Sequence, residues 1–589
     1  MRRGIVPTVL LLTLCLVANG SLAEISSPLH ELFDREWTFR LSEYPLLATS
    51  VGRHEYDDRL PAVSLADQQH RATVWRGFLS ELAAIDRAAL TASDRVNYDI
   101  FERQLQDFVA EIEFRAYQIP LNADSGFHMS FARLPVNVPL HTVADYENYL
   151  SRLMAFPKYM GQQIANMRGG IERDFVLPAV VLRGYEATVA AHVVDEPTDS
   201  VFYAPFRDFP ATIPESSQAE LVRLGLVAVE EAVVPGYARF LEFMVEEYMP
   251  QARESIAASR LPNGRAYYAQ QIRYYTMLDL TPDEIHTLGL DEVARIRAEM
   301  VDVIRNVGFA GSFQDFINFL RTDPRFYAQS ADELMRYAAF LAKKMDAQLP
   351  KLFRTLPRLP YGVEPVPLSI APKYTTGRYI SAPFGSTRAG TYWVNTYSLD
   401  KRPLYNLEAL TLHEAVPGHH IQIALSNEIE DLPDFRRFSY LSAFGEGWGL
   451  YAEWLGLETG FYTDPYSNFG RLSYEMWRAC RLVVDTGMHA KGWTRQQAMD
   501  YMASNTALAL HNVRTEIDRY ISWPAQALSY KLGELKIKSL RQRAEQALGK
   551  RFDVRDFHDA VLLQGSVPLP VLEQQIDDWI ARTLSDSGS

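Results

Sequence analysis

The residues best equipped for chemistry lie between Leu410 and His420, where the chain reads Leu-Thr-Leu-His-Glu-Ala-Val-Pro-Gly-His-His. A His-Glu pair followed on a helix by another His is the pattern of a zinc hydrolase. Two imidazoles hold the metal, and the glutamate beside the first activates a water. In the common spacing the second His is one helical turn on. Here Pro417 occupies that place, and His419 and His420 stand six and seven residues after His413. On a regular helix six residues turn about 240° away, while seven return nearly in line but about 10.5 Å along the axis. Zn–N bonds of about 2.0 Å do not span that gap. Pro417 removes the N–H that would bond the His413 carbonyl, and its ring crowds that carbonyl. Gly418 then permits an irregular backbone. The expectation is a local bulge that brings His419 beside His413, with His420 as the other candidate. The plainer alternative is a helix that ends at Pro417.

Such a site needs a third ligand, and a carboxylate on a neighbouring helix is one standard solution. Glu446, in Gly445-Glu446-Gly447-Trp448-Gly449, follows His413 by 33 residues, room for a loop and a return helix. Three glycines so close would cost about 1 kcal/mol each in a helix interior, which makes sense where helices or substrate approach closely. Glu453 lies seven residues beyond Glu446 on the same face. It is expected either to orient a ligand imidazole from behind or to form a surface salt bridge.

Together, His413-Glu414-x-x-Pro417-Gly418-His419-His420 and Gly445-Glu446-Gly447-Trp448 resemble the bacterial family of unknown function numbered 885. That family is grouped with gluzincin-type metallopeptidases and is similar, more distantly, to the thermostable carboxypeptidase and thimet oligopeptidase families. The resemblance covers most of the chain and includes 386–396, 478–489 and 520–533. It implies a zinc metallopeptidase with a large two-lobed helical fold. In the relatives Gly-His closes the motif, so the resemblance implies His413, His419 and Glu446 as Zn²⁺ ligands and Glu414 as general base. It also implies a tyrosine after the ligands as oxyanion donor, for which Tyr530, before Leu532-Gly533, is preferred to Tyr520. An ordinary core position is the alternative for either. His420 and His489 are polar candidates outside the ligand set, His489 with a structural alternative at a helix end. Arg388 and Tyr392 lie on an expected strand at the cleft edge, where an extended peptide would pair with main-chain groups. Arg388 or Arg481 would meet a peptide's C-terminal carboxylate, surface ion pairing being the default for both.

The elements that must position these residues are mainly helical. Apolar residues recur at three- and four-residue spacing over 28–46, 64–88, 92–114, 141–168, 214–248 and 282–306, and again over 405–427, 438–458, 466–490, 494–504 and 511–548. Thr281-Pro282-Asp283-Glu284 and Ser330 to Glu333 read as helix starts. Between about 357 and 397 prolines, glycines and β-formers predict a small sheet before the motif helix, with strands at Tyr379–Ala382 and Thr391–Asn395. Tyr267-Tyr268 and Tyr274-Tyr275 are expected in the core. The fold class is therefore mainly α, with an N-terminal helical lobe at 24–255 and a lobe at 256–589 carrying the zinc site and the sheet.

Arg2, Arg3 and the apolar run Val9–Ala18 read as a secretory signal over 1–23, too short for a membrane anchor. Leu14, not a small residue, precedes Cys15, which disfavours lipid attachment there. Cleavage would leave Cys480 as the remaining one of two cysteines, so no internal disulfide is expected. The place of action would be the periplasm or the medium, with no stable membrane anchor. With 589 residues, 47% hydrophobic and 22% charged, the chain is an ordinary globular one. A net charge of −14 without a long basic run excludes nucleic acid as a partner. The expected activity is hydrolysis of short peptides. Hydrolysis of a non-peptide amide or ester, and a non-catalytic binding protein that keeps the site, are the alternatives.

Overall fold

A computed structural model describes residues 27–368, 370–382 and 387–585. The signal segment expected at 1–23 lies outside them. Nine helices build the surroundings of the motif: α1 (Ala92–Glu113), α2 (Gly264–Thr276), α3 (Pro282–Asn306), α4 (Leu407–Glu414), α5 (His419–Asn427), α6 (Ser442–Glu458), α7 (Pro465–Ala490), α8 (Leu510–Ser522) and α9 (Ser529–Leu548). The fold is mainly α, and one three-stranded sheet stands among the described residues.

Helix starts follow the capping chemistry. The Thr281 side chain accepts the Glu284 N–H and the Glu284 carboxylate accepts the Thr281 N–H at 2.8 Å, which opens α3 with Pro282 in its first turn. Ser330 caps Glu333 in the same way at 3.1 Å, while the Glu333 carboxylate turns to the Gln329 N–H instead. Each such cap stabilises a helix end by about 1 kcal/mol.

Two of the expected long helices are broken. The run at 405–427 divides into α4 and α5, and the run at 511–548 divides into α8 and α9. The second break contains Pro524 and Ala525, whose φ of 69° no helix accommodates. Sheet order is β1-β3-β2, where β2 (Gly377–Ile380) pairs antiparallel with β3 (Gly390–Val394) and β1 (Tyr361–Pro365) pairs parallel with it. The strand β1, with Gly362 and Pro365, was not among the expected pair. Pro365 sits at its end, where a missing N–H costs least.

Helix α7 is buried along nearly its whole length, α3 packs along it, and α6 packs along α9. Gly447 of α6 meets Gly533 of α9: a Cβ on Gly447 would come within 2.6 Å of the Gly533 Cα. The Lys531 ammonium, at the start of α9, joins Glu475 at 2.9 Å, Glu534 at 2.7 Å and Glu292 at 3.0 Å, so α3, α7 and α9 share one buried charge knot. Charge is sustained there because each group is paired. The two large apolar cores each draw on both sides of residue 255: one runs from Val63 to Ala527 and the other from Leu29 to Ile580. The lobes drawn at 24–255 and 256–589 thus share their cores. Cys480 is buried as a free thiol, and no helix of the described residues is long and apolar enough to cross a membrane.

Candidate metal centre

Helix α4 is buried on almost every face and packs between α6, α7 and β2. It stops at Glu414. Ala415 and Gly418 leave helical geometry, the Val416–Pro417 peptide is cis, and α5 starts afresh at His419. The Trp448 indole N–H of α6 donates to the Pro417 carbonyl at 2.9 Å and holds the bend from outside. Across it the His413 and His419 rings stand at 4.7 Å between centroids and 89° to one another.

Helix α6 presents Glu446, Gly449 and Glu453 along one face towards α4. Glu446 Oε2 lies 3.5 Å from His413 Nε2 and 3.6 Å from His419 Nε2. Ligand atoms of His413, His419 and Glu446 all lie within 4.8 Å of one another. Two donors about 2.0–2.1 Å from a tetrahedral zinc stand about 3.3 Å apart, so the donor set and its spacing fit that ion. Behind the group, His413 Nδ1 donates to Glu453 Oε1 at 2.8 Å, which leaves the Nε2 lone pair for a metal. Arg478 approaches the same Glu453 oxygen at 3.4 Å. A Cβ on Gly449 would come within 2.6 Å of the His413 ring, so only glycine lets the ring sit there. His419 Nδ1 is buried without a hydrogen-bond partner.

Electrostatics agree with a cation's place. Without metal, burial opposes a proton on His413, but the carboxylates of Glu446 and Glu453 outweigh it and push the imidazole up to about 9. Burial likewise raises Glu446, yet His413 and His419 hold it well below the usual carboxylate range. The three residues form a charge-compensated cluster that a divalent ion can take over. The cluster opens into a cavity of about 770 Å³, which Glu414 also lines. Glu414 Oε2 accepts the Tyr379 N–H of β2 at 2.8 Å, so the sheet edge fixes the carboxylate.

The family model for bacterial proteins of unknown function, DUF885, matches residues 45–576. The chain belongs to this family. A candidate lipoprotein of Colwellia psychrerythraea shares 30% identity over 94% of this chain and 99% of its own, with a TM-score of 0.88. A candidate lipoprotein of unknown function from Shewanella oneidensis shares the fold at 18% identity and a TM-score of 0.73, over 93% of this chain and 99% of its own. None of the curated proteins matches. The relationship to metallopeptidases that the motifs imply has no support among these relatives.

Other residues of this DUF885 chain fall into two groups. Arg481 and Tyr530 line the cavity with the metal cluster. The Tyr530 ring lies 4.2 Å from the Arg481 guanidinium carbon, and its hydroxyl has no hydrogen-bond partner among the described residues. Tyr520 does not reach the cavity. Its hydroxyl donates to Glu516 at 2.6 Å and accepts from Arg481 Nε at 2.7 Å and the Trp477 indole at 3.1 Å. It is a support for Arg481, with no capacity left for an oxyanion. Tyr392 is fully buried under the sheet, beside Thr411, and takes no part in the cleft edge. Arg388 is exposed and lies outside the cavity lining.

The other two candidate histidines, His420 and His489, have structural partners. His420 Nδ1 pairs with the Tyr379 hydroxyl at 3.1 Å, and burial lowers it to about 4. It reaches the site only through Tyr379, whose N–H holds Glu414. His489 accepts the Ala258 N–H at 3.0 Å and therefore donates from Nε2 to the Tyr520 carbonyl at 2.9 Å. Burial lowers it also to about 4, and it stays a neutral strut. Asp485, pushed up to about 7 by burial, accepts the Ala525 N–H and the Tyr268 hydroxyl, so α7 braces the break between α8 and α9 from both positions.

Sequence reasoning passed over or misplaced several residues of the cavity. Tyr440 donates its hydroxyl to Glu446 Oε1 at 3.2 Å. Arg378 lines the wall within electrostatic reach of Glu414 and Glu446. Tyr274 and Tyr275, expected in the core, line the cavity, while Tyr267 and Tyr268 are buried as expected.

Proposed function

We propose that this protein is an exported zinc-dependent peptidase acting on short peptides. The observation that carries the reading is the convergence of His413, His419 and Glu446 at ion-binding distance beside Glu414, in one cavity. The lipoprotein description of both solved relatives supports export.

His413, His419 and Glu446 would hold the ion, which when bound supplies Lewis-acid charge for the substrate carbonyl and acidifies a water. The chain's own groups do the rest. Glu414, its carboxylate steadied by the Tyr379 N–H, accepts the proton of the attacking water and passes it to the leaving amine. The Tyr530 hydroxyl, which has no hydrogen-bond partner among the described residues and lines the same cavity, would donate to the developing oxyanion. Glu453 keeps His413 in the tautomer that exposes Nε2. Elemental mass spectrometry of the purified mature protein and a mixed short-peptide digest test the reading. It predicts about one zinc per chain and release of new amino termini that a chelator stops. A protein that takes up no zinc on reconstitution overturns it.

A further inference from the structure

We propose that Arg481 anchors a subsite for the free C-terminal carboxylate of the substrate, so that this enzyme works from the C-terminal end of its peptides. The proposal rests on the peptidase reading and adds its direction. Arg481 is 2% exposed and lines the cavity that holds the metal cluster. Its guanidinium is sandwiched: the carbon lies 4.4 Å from the Trp477 ring and 4.2 Å from the Tyr530 ring. Two nitrogens are held, Nε by the Tyr520 hydroxyl at 2.7 Å and Nη2 by Glu516 at 3.2 Å. Nη1 is buried and has no hydrogen-bond partner among the described residues.

A buried guanidinium nitrogen left without an acceptor is costly, and native structures rarely carry one idle. The rings fix the guanidinium plane, and Tyr520 and Glu516 fix its rotation. What remains unpartnered is Nη1, which with the second N–H of Nη2 has the fork geometry that a carboxylate matches. Local charge allows an anion. Arg519 shares Glu516 at 3.3 Å and Arg478 also acts on it electrostatically, so three guanidiniums face Glu516 and one further acid on the cavity wall, Asp124. The subsite also lies near the reacting centre: Tyr530 touches Arg481, and Tyr440 interacts electrostatically with both Tyr530 and Glu446. A terminal carboxylate is the one anion every peptide carries, whatever its side chains. An acidic side chain offers the same chemistry, and the test separates the two.

The test uses the zinc-loaded full-length mature protein and four peptides of one sequence: free acid, C-terminal amide, and both again with an internal Glu replaced by Gln. Binding is read from tryptophan fluorescence on the Glu414→Gln variant, and cleavage on the wild type. The expected result is at least tenfold tighter binding and faster cleavage of the free acids, indifferent to Glu or Gln, with bonds near the C-terminus cut. Arg481→Lys, which keeps the charge and loses the fork, should raise KM for the acids about tenfold more than for the amides. Should that variant fail to fold, the acid–amide comparison on the wild type decides alone. Equal binding of acid and amide overturns the proposal, as does a preference that follows the internal Glu. Acid-selective binding without cleavage of any peptide leaves the subsite standing and overturns the peptidase reading instead.

Discussion

The two ends of the cavity are built on opposite plans. At the metal end, buried side chains spend one polar atom on a neighbour and leave the other facing a common point: His413 gives Nδ1 to Glu453, and Glu446 gives Oε1 to Tyr440. Their remaining atoms converge on one point, at a spacing that could hold an ion. At the guanidinium end, the helpers are fully spent. Tyr520 has three partners and Glu516 holds Tyr520, Arg481 and Arg519, so that one nitrogen of Arg481 alone is left over. The lesson is that residue type alone does not mark a functional group; an unpartnered atom does so where it falls on the cavity beside the other chemistry.

That contrast can be broken by measurement. The largest effect belongs to Glu414→Gln: turnover should fall by about 10²–10⁴-fold with zinc content unchanged, because a general base contributes about that much. Loss of zinc along with activity would move Glu414 into the ligand set. His419→Ala should abolish stoichiometric zinc, whereas His420→Ala should retain it, since His420 faces Tyr379; the comparison needs only elemental analysis of both. Glu453→Gln, which weakens the hold behind His413, should cut zinc affinity about 10–100-fold in a competition titration with a chelator. At the other end, Tyr520→Phe should leave zinc affinity alone and raise KM for free-acid peptides by about twofold to tenfold, the worth of one hydrogen bond to a charged support. An equal fall in kcat would show that Tyr520 acts at the reacting atoms.

A pH measurement sharpens the metal end. In the metal-free chain His413 is raised from 6.5 to about 9, so the folded state keeps a proton that the unfolded state has released. The stability this contributes is fully present below about 6.5 and is lost as pH rises through about 9. The thermal midpoint of chelator-treated protein should therefore fall between pH 6.5 and 9. Zinc-loaded protein should lack that decline, because binding already requires the neutral imidazole. A flat profile for the metal-free chain would mean that Glu446 and Glu453 do not hold a proton on His413.

How much was legible follows from what sequence encodes locally. Caps such as Thr281 with Glu284 can be read directly, because both partners lie within one turn. The gathering of His413, His419 and Glu446 was legible because so few roles suit residues of those kinds in an apolar stretch. Pro417 and Gly418 announced the bend. What joined distant segments could not be read. β1 pairs with a strand about 30 residues on, and its alternation is too short to stand out. Tyr520 and Tyr530 are alike in type, and only the crowd around Tyr520 tells the support from the free hydroxyl. Tyr440 gave no signal at all, because nothing local pairs it with Glu446. Both large cores take residues from each side of 255, because contacts between distant segments, not composition, decide where cores lie.

The bend held by Trp448 has a consequence for ancestry. Where two ligands sit on one unbroken helix, their spacing is frozen by the helical repeat, and any inserted residue swings one of them away. Here the interval between His413 and His419 is set by a clasp from another segment, the indole of α6 on the Pro417 carbonyl. An insertion in that interval can be absorbed by the loop as long as the clasp survives. Family members are therefore better traced by the linked pair of motifs, His-Glu with Gly-His and Gly-Glu-Gly-Trp, than by counting residues between histidines.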